Sequence, residues 1–138
     1  MRTPKTGPLL CAAAACGMMF LSVARAHHSY AVFDTKKTES SVATVKVLEW
    51  KNPHVWIWVL LPGTGGQPKL WGLEATDIGS LKRGGWSKHT VQPGDKVKVA
   101  FHPLLNGQAG GSLVSITLPD GTVTTPYGPP GAGGGPPQ

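Results

Sequence analysis

An apolar stretch near the middle of the chain decides the fold: residues His54 to Leu61 are His-Val-Trp-Ile-Trp-Val-Leu-Leu. Asn52-Pro53 precedes this stretch and Pro62-Gly63 follows it, and proline interrupts both helices and central strands. A run of this length between two such breaks favours a strand over a helix, and consecutive apolar positions are typical of a strand covered on both faces. The stretch therefore predicts a β-rich domain built around it.

Valine-rich or alternating segments on both sides of this stretch predict further strands. The alternation in the first of them is imperfect, which indicates a bulge. A short helix is expected after Ala75, capped by Thr76 or Asp77. Pro119-Asp120-Gly121 predicts a hairpin turn into a short last strand. The predicted strands are 41–50, 54–61, 69–75, 95–102, 113–118 and 122–125.

Five strands with one short helix between the third and the fourth match the OB-fold, a small five-stranded Greek-key barrel. A split β-sandwich without closure is the main alternative. Closure is favoured because an open sheet would leave one apolar face of the 54–61 strand bare. The predicted inward positions of the fourth and fifth strands are Val97, Val99, Phe101, Val114 and Ile116.

The N-terminus has the features of a secretory signal peptide. Arg2 and Lys5 are followed by an uncharged apolar stretch over 9–23 and then by Ala24-Arg25-Ala26, whose small residues suit signal peptidase. We expect cleavage after Ala26, export to the periplasm and no membrane span in the mature protein. The alternatives are an uncleaved N-terminal anchor and lipoprotein processing at Cys16.

Composition limits what the remaining chain can be. Both cysteines, Cys11 and Cys16, lie in the signal, so the mature chain has neither disulfides nor thiolate ligands. Without the three basic residues of the signal, 10 basic residues face 7 acidic ones, a net charge of +3. The lysines are scattered and form no basic groove, so nucleic acid is not expected as a partner. The predicted organisation is a signal over 1–26, an extended arm over 27–37, the barrel over 38–126 and a disordered Gly/Pro-rich tail over 127–138.

Several short motifs resemble those of a known family. In chain order they are His27-His28-Ser29-Tyr30-Ala31, Phe33-Asp34, Trp50-Lys51-Asn52-Pro53-His54, Gly84-Gly85-Trp86, Pro93-Gly94-Asp95 and Leu118-Pro119-Asp120-Gly121. Together they resemble an uncharacterised family of small exported proteins of Gram-negative bacteria. Members of this domain of unknown function carry an Ala-His-His-Ser-Phe junction, where this chain has Tyr30 for the phenylalanine, and a Trp-x-Asn-Pro-His motif. The resemblance covers nearly all of the mature domain. It implies export and one compact β-rich domain, and it implies no reaction.

Cleavage after Ala26 creates a chelating group at the new N-terminus. The α-amine and the imidazole of His27 can bind one metal ion together, and this donor set suits Cu(II) in a square-planar arrangement. A further nitrogen from His28, His54 or His102 would complete the site. The alternatives are that His27 and His28 form a solvated arm, that a loop carbonyl holds the ring of His54, and that His102 is an exposed residue at a strand end.

Two tryptophans of the central strand, Trp56 and Trp58, share a face with His54 by strand alternation. They can stack on a sugar or another flat ligand, as OB barrels bind ligands on one face, or they can belong to the core. The acidic residues are dispersed, and only Glu49 and Glu74 are positioned to meet, from adjacent strands. No nucleophile motif, phosphate loop or cofactor fingerprint is present, so an enzyme is not expected.

These observations predict a periplasmic, non-enzymatic binding module with copper as the leading ligand. The first alternative is a structural or interaction domain that docks another envelope protein through its tryptophan-rich face. The second is a small-molecule binder that uses Trp56 and Trp58.

Overall fold

The computed structural model describes residues 30–131, and the predicted signal, His27, His28 and the last seven residues lie outside this range. The order of elements is three strands, one short helix, two strands and a short last strand, which confirms the predicted fold class. The elements are a 3-10 helix at Tyr30–Val32, β1 at Glu39–Glu49, β2 at Trp56–Leu61, a 3-10 turn at Thr64–Gly66, β3 at Lys69–Glu74, α1 at Ile78–Arg83, β4 at Lys96–Pro103, β5 at Gly110–Thr117 and β6 at Val123–Thr124.

The strands form a closed barrel. β1 pairs antiparallel with both β2 and β4, β2 pairs with β3, and β4 pairs with β5. A short parallel pairing of β3 with β5, through Gly72 and Gly110 among others, closes the ring. This is the connectivity of a Greek-key OB barrel rather than of a split sandwich, and β6 adds only an arm on β5.

One apolar core fills the barrel. Val97, Val99, Phe101 and Ile116 are buried in it, as predicted. The inward placement of Val114 was wrong, since this residue is half-buried and Leu113 is buried instead. The physical reason is a shift in the β4–β5 register: Ala100 pairs with Ser115, but Phe101 pairs with Leu113, so Val114 is an additional residue on β5.

A second bulge lies in β1, as the imperfect alternation predicted. Val45 pairs with Val59 on β2, whereas Val47 pairs with Trp58, so Lys46 is the additional residue. Beyond the bulge Val47 faces outward with 44% of its surface exposed. Glu49, two residues on, faces outward beside its partner Trp56.

The helix α1 begins with two hydrogen bonds from different parts of the chain. Asp77 caps it, accepting the backbone N–H of Ser80 at 2.9 Å. Asn52, on the β1–β2 connection and followed by a cis peptide bond to Pro53, accepts the backbone N–H of Ile78 at 3.1 Å. These two acceptors satisfy backbone groups that a helix leaves unpaired at its start, and they attach the helix to the barrel.

The segment predicted as an extended arm is extended only in part. It contains the 3-10 helix at Tyr30–Val32, and the next residue, Phe33, is buried and forms a β-bridge with Leu104. The Asp34 N–H donates to the carbonyl of Pro103 at 2.8 Å. Burial of the Phe33 side chain explains why this segment packs on the barrel.

The C-terminal segment also packs on the barrel up to Gly128. Trp86 donates its indole N–H to the carbonyl of Thr125 at 2.7 Å, and Thr125 forms a bridge with Gly128. The predicted start of the tail, residue 127, therefore lies inside a hydrogen-bonded turn. Among residues 30–131 no helix is long and apolar enough to cross a membrane.

Candidate ligand-binding face

The tryptophans of β2 lie on the outer face of the barrel. Ile57 and Val59 of this strand point into the core, so the residues between them in the alternation point outward. The rings of Trp56 and Trp58 stack with centroids 6.0 Å apart and planes 22° apart, a normal geometry for an offset aromatic pair. Both residues are half-buried, so they form an apolar platform rather than part of the core.

A glycine on the neighbouring strand makes room for this platform. Gly72 of β3 pairs with Trp58, and a Cβ at this position would lie 3.0 Å from the Trp58 ring and 3.4 Å from that of Trp56. Both rings therefore lean over β3, and any side chain at position 72 would push them away. Sequence reasoning missed Gly72, although a lone glycine inside a strand is a known sign of close approach by a neighbouring group.

Two carboxylates lie on opposite sides of Trp56. Glu49 of β1 and Glu74 of β3 are its direct partners in the two ladders. The prediction that these acids come from adjacent strands was wrong, because β2 separates them. The Trp56 indole thus lies between two carboxylates on one sheet face.

The neighbours of Glu49 orient it and keep it ionised. Its carboxylate accepts the indole N–H of Trp58 at 3.2 Å and the Lys51 ammonium at 3.1 Å. These hydrogen bonds, the one from Trp58 first, hold the pKa of Glu49 below its ordinary value. Since the N–H of Trp58 is held by Glu49, the orientation of its ring is fixed as well.

His54 stands on the same face and contacts the second carboxylate. Its Nδ1 lies 2.5 Å from Oε1 of Glu74, and the side chains are 27% and 18% exposed. Because a carboxylate accepts and does not donate, Nδ1 is the donor. The structure thus gives His54 a carboxylate partner, Glu74.

The other two histidines among residues 30–131 have different surroundings. His102 donates through Nδ1 to the backbone carbonyl of Lys37 at 2.8 Å, so this half-buried ring holds the N-terminal segment on the end of β4. His89 is exposed in the loop after Trp86. Within residues 30–131 no group of three His, Cys, Asp or Glu side chains could hold a metal ion.

The model of a family of unknown function, DUF6152, matches residues 16–113. The chain belongs to this family. The match covers most of the barrel, including the platform, His54 and His102. Neither a curated protein nor a solved structure matches the chain.

Proposed function

We propose that the protein is an exported, non-enzymatic binding module that binds a neutral carbohydrate on the Trp56–Trp58 platform. The observation that carries the proposal is the stacked, half-buried pair of indoles, with Trp56 between the carboxylates of Glu49 and Glu74. The outer face around strands 2 and 3 is also where OB barrels bind oligosaccharides and oligonucleotides.

The charges beside the platform select between these ligand classes. Glu49 is ionised at neutral pH, and Glu74 lies on the other side of Trp56. The two carboxylates beside Trp56 disfavour the phosphates of an oligonucleotide. Carboxylate oxygens accept hydrogen bonds from hydroxyl groups, and an indole face covers the apolar side of a sugar ring, so the site suits an uncharged, hydroxyl-rich ligand.

The test is a titration monitored by tryptophan fluorescence. Maltohexaose and chitotetraose serve as neutral probes and an oligodeoxythymidine serves as the anionic one. We expect a neutral oligosaccharide to bind and W56A or W58A to weaken its binding about tenfold, which corresponds to about 1.4 kcal/mol. V123A is the matched control, because Val123 is 42% exposed on β6, which pairs with β5 and not with β2 or β3. The control variant should bind the oligosaccharide with the affinity of the parent protein.

Three results would contradict the proposal: no binding of either sugar, a preference for the oligodeoxythymidine, or equal affinities of W56A, W58A and V123A. Melting curves of the three variants establish that each is folded at the temperature of the titration.

Copper binding is a second candidate, and the His54–Glu74 contact supports it. Metal-bound histidines commonly donate their second ring nitrogen to a carboxylate, which orients the ring. Glu74 holds Nδ1 of His54 in this way. The remaining ligands of such a site would be His27 and His28, which lie outside the described residues.

A further inference from the structure

The first half of β1 has a strand partner on one side. It pairs with β4 over Glu39–Thr44, whereas its pairing with β2 begins only at Thr44. Within residues 30–131 no strand pairs with β1 on the second side before Thr44.

The backbone groups of alternate residues point to opposite sides of a strand. The N–H and C=O of Val45 bond to Asp95 and Gly94, on the β4 side. By this alternation Ser40 and Val42 direct their N–H and C=O groups to the side away from β4, which we call the open edge of β1. The Val42 carbonyl accepts the neighbouring Ser41 hydroxyl at 3.0 Å, and a carbonyl has a second lone pair.

A proline keeps β2 from covering this open edge. Thr44 pairs with Leu60, so the same register would place Pro62 opposite Val42. Proline has no N–H to donate, and β2 ends at Leu61. The open edge therefore follows from the sequence at the end of β2.

A groove of about 710 Å³ runs beside the open edge, and its two sides differ in character. On one side it reaches the core residues Ala43 and Leu61. On the other side lie Val42, which is 66% exposed, and the lysines of β4 at positions 96 and 98. A strand placed here would thus meet apolar side chains with one face and cations with the other.

The lysines are in reach of a strand at this edge. Lys96 extends across β1, with Nζ 2.6 Å from Oγ1 of Thr44, and Lys98 pairs directly with Val42. None of the described residues that line the groove is acidic, so its local charge is positive.

We propose that the open edge of β1 binds an extended segment of a partner protein in which acidic and aliphatic residues alternate. The segment adds to the sheet by hydrogen bonding to Ser40 and Val42. Its aliphatic side chains pack on Ala43 and Leu61, and its acidic side chains face Lys96 and Lys98. This surface is separate from the tryptophan platform, so either proposal can fail without the other.

The test is a calorimetric titration at low salt with two blocked peptides. The probe is Val-Glu-Val-Glu-Val-Glu-Val, and the control is the same peptide with lysine in place of each glutamate. We expect the glutamate peptide to bind and the lysine peptide not to bind. The substitution Val42→Pro removes an N–H that points to the open edge and takes no part in the β4 ladder, and edge strands tolerate proline. V42P should lower the affinity about tenfold relative to V42A, which removes the valine methyl groups but retains the N–H. The double substitution K96E/K98E should reverse the preference, so that the lysine peptide binds more tightly than the glutamate peptide.

A measurement on the unsubstituted protein keeps the proposal testable if V42P does not fold. The glutamate peptide should shift the backbone amide resonances of Ser40 and Val42 and leave those of the platform residues unchanged. Equal affinity of V42P and V42A, absence of binding by the glutamate peptide, or occupation of this edge by a second copy of the chain in solution would each overturn the proposal.

Discussion

At the residue scale, two small details of the chain build the candidate site. The additional residue Lys46 in β1 puts Glu49 on the outer face beside Trp56. The missing side chain of Gly72 leaves space for both indoles over β3. Neither Lys46 nor Gly72 contacts the ligand in the proposed function. Lys46 decides where Glu49 lies, and Gly72 decides where the two indoles lie.

The cap of α1 gives a prediction at the same scale. The hydroxyl and then the N–H of Ser80 bond to the Asp77 carboxylate and lower its pKa from 3.8 to about 2. A carboxyl whose pKa is lower in the folded state stabilises the fold fully above about pH 4, and this contribution is lost as the pH falls through about 2. D77A should therefore lower the free energy of unfolding by about 1 kcal/mol at pH 6 and by clearly less at pH 2.

Urea denaturation at the two pH values checks this prediction. D77N is the control, because asparagine caps helices about as well as aspartate and does not titrate there. An equal loss in D77A at pH 6 and pH 2 would contradict the assignment of the pH dependence to this carboxylate.

At the scale of the elements, β4 shows how one strand contributes a buried face and an exposed face to the barrel. It lies between β1 and β5 and alternates buried valines with exposed lysines. Val99 has no exposed surface, so V99D would bury a carboxylate with no counter-charge and should destabilise the fold by several kcal/mol. K98D, on the exposed face of the same strand, should change stability by less than about 1 kcal/mol. Thermal melts of both variants check the prediction, and similar melting temperatures would mean that the faces of β4 are reversed.

At the scale of the whole molecule, the copper hypothesis depends on a processing step. Before cleavage the nitrogen of His27 belongs to an amide. After cleavage it is an amine with an ordinary pKa of about 7.7–8.0, which a metal can deprotonate near neutral pH. A chain that begins at His27 should bind Cu(II) far more tightly than one with a single residue added before it. Binding should weaken below about pH 6.5, where imidazole takes up a proton.

Cu(II) titration of the two chains, followed by the visible d–d absorption band, tests this prediction. H54A should weaken binding if His54 supplies a nitrogen, and H89A is the matched control because His89 is an exposed loop residue. Equal Cu(II) affinities of the two chains would leave His27 and His28 as a solvated arm.

Closure of the barrel is also a property of the whole molecule. It depends on the short parallel contact of β3 with β5, in which glycines at 72 and 110 pair. A Cβ on Gly110 would lie 2.9 Å from the Leu104 side chain and 3.2 Å from the Gly72 carbonyl, so the glycine permits this approach. The order of elements predicted a closed barrel, but this contact between strands distant in the chain could not be located by local pattern.

Local physical chemistry made much of the fold predictable from the sequence. Proline and glycine positions marked the turns, alternation marked the inward valines of β4, and Asp77 was one of two predicted caps for α1. The β1 bulge was also foreseen, because a break in alternation is a local signal. The same reasoning misplaced Val114, since the β5 bulge is defined by its register with β4.

Only part of the candidate site was predictable from the sequence. Alternation put His54, Trp56 and Trp58 on one face, but it could not show whether that face was core or surface, because this depends on which side of the sheet the barrel closes. The sequence alone determined a β-rich domain with a tryptophan-bearing central strand. Tertiary structure decided that the tryptophans face outward, that Glu49 and Glu74 lie on either side of Trp56, and that His102 holds the N-terminal segment. Each of these depends on register between separate strands, which no single segment of the chain encodes.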